Sequence, residues 1–177
     1  MLNRTMKVAH DFKYLGPLDD VVEVLHSEQL AIARAKQLNV TDYSFDTGAR
    51  DGRRYSSIEV KIPQADTPAE VRNFLSNGLD LQITMYSSAL ARGVHIDIDV
   101  NLRTALPVAL DAHLVLADSG VETVARLNAQ VDVKIPFFGS RVEKTIADKL
   151  PQLLEKDTDL VNAELAMRRA LNDKTEY

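Results

Sequence analysis

The stretch HIDID, residues 95–99, puts an imidazole and two carboxylates at alternate positions, His95, Asp97 and Asp99. These are metal-ligating and acid–base types, and on a strand all three share one face. Same-face neighbours stand about 6.6–7 Å apart, so one metal ion would need long reach or further ligands from an adjacent strand. The intervening Val94, Ile96 and Ile98 are apolar, and the plainer reading is a strand with one buried and one solvated side. Histidine is the side chain suited to acid–base work near neutral pH, yet neither His26 nor His113 has a nucleophile and an orienting group nearby in sequence. Arg50, Arg53 and Arg54 surround Asp51-Gly52, where they either meet an anionic head group or acidic partner or stand in solvent. No G-x-S-x-G, H-E-x-x-H or glycine-rich phosphate loop is present. The absence of cysteine excludes disulfides, thiolate metal sites and cysteine nucleophiles. Nothing in these residue types calls for a metal or cofactor, and no catalytic residue can be named.

The elements that would position such groups are easier to read. The 177 residues are expected to form one domain, 45% hydrophobic and 27% charged, with a formal net charge of −5. Mild acidity argues against non-specific nucleic-acid binding, which needs a basic stripe. The opening residues lack a signal-peptide pattern, and no apolar run approaches the ~20 residues of a membrane span. The expectation is a cytoplasmic protein without integral membrane association, whose Asn39-Val40-Thr41 sequon is a surface turn.

TMKVAHDFKY alternates as a half-buried strand, with Met6, Val8, Phe12 and Tyr14 on one side. Gly16-Pro17 followed by acidic residues opens a helix, and Ser27 restarts a second one. Asp51-Gly52 predicts a hairpin turn between two strands. Thr67, Pro68 and Gly78 bracket a short helix or compact loop. Four further alternating segments follow, and from about Gly139 to Leu171 apolar residues recur at helical spacing, interrupted by Pro151. A helix of that length is about 45 Å long and can cross a whole sheet. The predicted fold class is α+β: a curved antiparallel sheet of about seven strands wrapped around a long C-terminal helix, with two short helices after the first strand.

Alternation also predicts an apolar sheet face, as an antiparallel sheet covered on one side requires. Its members include Ile58 and Val60, then Leu81, Ile83 and Met85, then Ile96 and Ile98, then Leu114, Leu127 and Val131. Val142, Ile146 and Leu150 of the closing helix face it, and Phe137 and Phe138 stand where sheet hands over to helix. Tyr43, Tyr55, Thr123 and Lys149 are the candidate polar groups for orienting a ligand.

The element order, together with VDVKIPFFGSRVEKTIADKL, resembles the START-related helix-grip superfamily (SRPBCC), which includes birch-pollen-allergen-like proteins. The closing motif is similar to that of an uncharacterised actinobacterial branch, at Val131, Val133, Ile135, Pro136, Gly139, Val142, Glu143 and Lys144. The resemblance implies a cavity between sheet and helix that takes a lipid, fatty acid or aromatic molecule, with the apolar residues named above as its ligand-binding lining. It carries over no catalytic residue, and Pro151 departs from the uninterrupted helix expected. A non-catalytic carrier is favoured; a cyclase, dehydratase or hydrolase using the same cavity, and a protein-interaction module with no ligand, remain alternatives.

Overall fold

The computed structural model describes residues 5–67, 69–103, 108–134 and 139–176. Strand β1 (Met6–Tyr14) leads into helices α1 (Leu18–Leu25) and α2 (Glu28–Gln37). Strands β2 (Tyr43–Arg50) and β3 (Arg53–Ile62) follow, then a 3₁₀ turn and the single-turn α3 (Ala69–Arg72). Strands β4 (Leu79–Leu90), β5 (Gly93–Leu102), β6 (Val108–Asp118) and β7 (Thr123–Val133) precede the long helix α4 (Gly139–Thr175). One seven-stranded sheet runs in the order β1-β7-β6-β5-β4-β3-β2, every neighbouring pair antiparallel. This is the helix-grip arrangement.

Local chemistry accounts for the joints. Ser27 caps α2, its hydroxyl accepting from the Leu30 N–H at 3.2 Å. Asp51 and Gly52 both adopt positive φ, 53° and 73°, as a tight hairpin demands. The expected helix around Thr67 shortens to α3, and Thr67 donates back to the Gln64 carbonyl at 2.6 Å instead of capping a helix. Helix α4 runs four residues past Leu171, since no glycine or proline stops it there.

The register sets the two faces of the sheet. Ile58 pairs with Ile83, and Met85 with Ile98. Ile96, Leu114 and Leu127 form a continuous row across β5, β6 and β7. The helices lie over this face. Tyr14, Val21, Val24, Leu30, Ile96, Leu114, Leu116, Leu127, Val161 and Leu165 make the main core. A second cluster of Val131, Val133 and Val142, with Ile146 and Met6 against it, closes the end where α4 begins. Helix α4 makes its main sheet contacts on β1 and β7, and α2 packs on β2.

Two glycines separate backbone strain from crowding. Gly78 (φ 79°) and Gly120 (φ 87°) both occupy the left-handed region, but a Cβ on Gly78 would stand 2.3 Å from the Ile62 carbonyl oxygen. A Cβ on Gly120 meets nothing within 4 Å. Urea titration is expected to show Gly120→Ala losing about 1 kcal/mol and Gly78→Ala losing at least about twice that. Equal losses would mean the β3–β4 junction relaxes freely.

Candidate functional site

Because α4 settles on β1 and β7, it spans the β3–β5 part of the covered face and leaves a hollow of about 380 Å³ there. Its floor is Ile58, Ile83, Met85 and Ile98, with Phe45 of β2 beside Ile58. Its walls are Leu25 and the α2 face at Ser27, Ala31, Arg34 and Leu38, opposite Leu153, Leu154 and Asp157 of α4. Leu38 (53% exposed) and Leu153 (52%) mark the entrance.

Arg34 ties the two walls together. Its Nε and Nη2 donate to both Asp157 carboxylate oxygens at 2.6 and 2.8 Å, a bidentate geometry that is among the stronger side-chain pairings. Behind the pair sits Tyr14, 3% exposed; burial pushes its hydroxyl well above the ordinary tyrosine range, and the Asp157 charge adds to this.

Beside the hollow, His26 is 1% exposed and lies over the paired strands β3 and β4. Its Nδ1 lies 2.8 Å from Ser56 Oγ and its Nε2 2.5 Å from Ser87 Oγ. Burial, reinforced by the Arg54 charge and opposed by Glu23, pulls the imidazole down to about 4. It is therefore neutral at pH 7, donating through one nitrogen and accepting at the other. Both nitrogens are occupied, and Glu23 is bonded by Arg54 at 2.5 and 3.2 Å instead of orienting the ring. The group holds α1 against β3 and β4 and is not arranged as a nucleophile–base pair.

The remaining candidates lie elsewhere. His113 pairs across the sheet with Asp97 on the face away from the helices, where it stacks on His95 at 5.4 Å. Asp97 accepts from Arg53 at 2.9 Å and lies 3.0 Å from His95 Nε2. Among the described residues no group of three or more His, Asp or Glu side chains could hold a metal ion. Tyr55 also faces outward, its hydroxyl donating to Asp46 at 2.6 Å beneath the Arg50 guanidinium. Thr123 is buried but donates to the Gly16 carbonyl at 2.9 Å, at the far end of the sheet. Arg50 and Arg53 pair beside the hairpin turn with Arg54 next to them, and each is already engaged, Arg50 by Tyr55, Arg53 by Asp97 and Arg54 by Glu23.

Of the apolar residues expected to line a ligand site, Ile58, Ile83, Met85 and Ile98 surround the hollow. Ile96, Leu114 and Leu127 sit in the main core, and Val131, Val142 and Ile146 in the second cluster. Val60 is buried beside Leu81 and Tyr43, nearer the other end of β3. Leu150 is half-buried one turn before Leu154. Phe137 and Phe138 lie outside the described residues. Sequence reasoning missed Arg34, Asp157 and the α2 wall, although positions 27, 31, 34 and 38 have the spacing of one helical face.

A family model described as a protein of unknown function, DUF2505, matches residues 9–165. None of the curated proteins is similar in sequence. Among solved structures, a norcoclaurine synthase point mutant from Thalictrum flavum, in complex with a transition-state analogue, is similar at 12% identity and TM-score 0.58, covering 96% of this chain and 99% of that one. A START superfamily protein from Mycobacterium smegmatis matches at 11% identity and TM-score 0.51, over 91% and 97%. Human STARD10 matches at 13% and 0.57, over 88% of this chain and 62% of its own. At these identities the likeness is one of fold, and it is START-like. Among the described residues no helix is long and apolar enough to cross a membrane.

The buried imidazole sets a pH dependence whose sign follows from its shift. Unfolded, it titrates near 6.5; folded, near 4, so between these values only the unfolded chain binds the proton. Its contribution is complete above pH 6.5 and is lost as pH falls toward 4, by up to about 3 kcal/mol. In urea titrations at pH 7 and pH 4.5, the natural protein is expected to lose more stability than His26→Gln, which carries no such proton. Identical losses would show that the imidazole charges in place.

Proposed function

We propose that this chain, which belongs to the DUF2505 family of proteins of unknown function, binds or carries a small hydrophobic molecule in the hollow between its sheet and α4. The supporting observation is an apolar floor of Ile58, Ile83, Met85 and Ile98 beneath an entrance flanked by the half-exposed Leu38 and Leu153. A partly enclosed apolar site with a few polar groups at its edge is the usual form of a small-molecule pocket. Each methylene buried there contributes about 0.8 kcal/mol before the cost of immobilising the ligand. In this reading Ile96, Leu114, Leu127, Val131, Val142 and Ile146 serve the site by packing behind and beside it.

The START-like fold supports the reading as an analogy of architecture. For a catalytic use of the same hollow the histidine and tyrosine candidates are poorly placed, because His26 is fully bonded and His113 and Tyr55 face outward. We infer a carrier or receptor acting in the cytoplasm, with no cofactor and no nucleic-acid partner.

Filling the hollow tests this. The neutral fluorophore N-phenyl-1-naphthylamine is expected to bind one-to-one, and Ile83→Trp to weaken it at least ten-fold while the thermal midpoint stays within a few degrees. Native mass spectrometry of the purified protein is expected to release a hydrophobic compound on organic extraction. A protein that binds neither probe nor endogenous compound would discard the proposal.

A further inference from the structure

The entrance to the hollow carries charge, and the charges do not cancel. Three ionisable groups line it: Arg34, Asp157 and Lys156. Arg34 and Asp157 neutralise each other through two hydrogen bonds of 2.6 and 2.8 Å. Lys156 is exposed on α4 and makes no hydrogen bond or ion pair among the described residues. The end of α2 also meets the entrance, where its free carbonyls would repel an anion. Those of Arg34, Ala35 and Lys36 already accept from the N–H groups of Leu38, Val40 and Asn39, and Arg34 and Lys36 place positive charge in that last turn. Of the three ionisable groups that line the hollow, Lys156 is thus the one whose charge has no partner among the described residues.

The volume limits what lies behind it. A methylene group takes roughly the space of a water molecule, about 30 Å³, and the hollow offers about 380 Å³. It therefore accepts on the order of a dozen carbons, enough for one alkyl chain and too little for a lipid with two.

Resting on the cavity reading above, we infer that the ligand is a single-chain carboxylate of medium length, its tail on Ile58, Ile83, Met85 and Ile98 and its head group held by Lys156. An ionised acceptor gives the ammonium a charge-assisted hydrogen bond, whereas an alcohol forms a weaker one and a quaternary ammonium head is repelled. The inference adds a specificity determinant to an otherwise non-directional apolar site.

Isothermal titration at pH 7.5, below micellar concentrations, with dodecanoate, 1-dodecanol and dodecyltrimethylammonium distinguishes the two levels of the proposal. Dodecanoate is expected to bind about three- to five-fold more tightly than dodecanol, the scale of one solvent-exposed charge pair. Lys156→Ala should remove that advantage, Lys156→Glu should reverse it, and about 0.5 M NaCl should narrow it. The exposed Lys144→Ala, away from the hollow, should change nothing. Lys156 is a surface residue, so its variants are expected to fold normally. Equal affinity for dodecanoate and dodecanol, insensitive to Lys156, overturns the head-group assignment while leaving the cavity standing. Failure of all three amphiphiles to bind overturns the cavity reading too. Extraction of lipid from dioleoyl-phosphatidylcholine vesicles would overturn the single-chain limit.

Discussion

A sheet with one apolar face cannot leave that face in water, and the way α1, α2 and α4 cover it decides the rest of this structure. Ile96, Leu114, Leu116 and Leu127 sit under helix and are packed to an ordinary interior. Toward β3 the geometry changes, because α4 docks on β1 and β7 and cannot follow the curvature of the sheet to its other edge. α2 closes from the β2 side. The hollow is what two rigid rods leave over a curved surface. It needs no special residue to create it, only a floor of medium-sized side chains that does not fill it.

Polar groups under the helices are held to a strict accounting. His26 has two serine partners, Thr123 a carbonyl, and Arg34 both oxygens of Asp157. Each of these spans two elements, so satisfying a buried donor or acceptor also fixes an element in place. His26 holds α1 to β3 and β4; Thr123 holds the start of β7 to the turn before α1; Arg34 holds α2 to α4. The outer face works differently, with exposed ladders such as Arg53–Asp97 and Arg103–Glu59 that contribute little each and keep the sheet soluble on that side.

The fold was legible because strand phase and helix period are local. Leu81, Ile83 and Met85 alternate with Asp80, Gln82 and Thr84, and nothing in the rest of the chain contradicts them. Phase also decides Tyr55: counting from Ile58 places it outward with Ser57 and Glu59, although its residue type suggests a polar handle for a ligand. The site was less legible because its parts are joined at long range. Arg34 reads as a solvated helix residue until Asp157 arrives, 123 positions later. His26 reads as an isolated imidazole until Ser56 and Ser87 are placed beside it. Residue identity does not report whether a helix touches a sheet or spans it, and the hollow depends on that.

The sheet order has a consequence for how the chain comes into being. β1 precedes the other six strands, yet its only sheet neighbour among the described residues is β7, whose last residue is Val133. During synthesis Met6, Val8 and Phe12 emerge with no strand beside them and no α4 above them, since Val161 and Leu165 are made later still. Contacts between such distant segments form slowly, and an unpaired apolar strand is a template for intermolecular pairing. Until β7 and α4 have been made, β1 lacks its partner strand and its cover, and the polypeptide is exposed to misassembly over that interval.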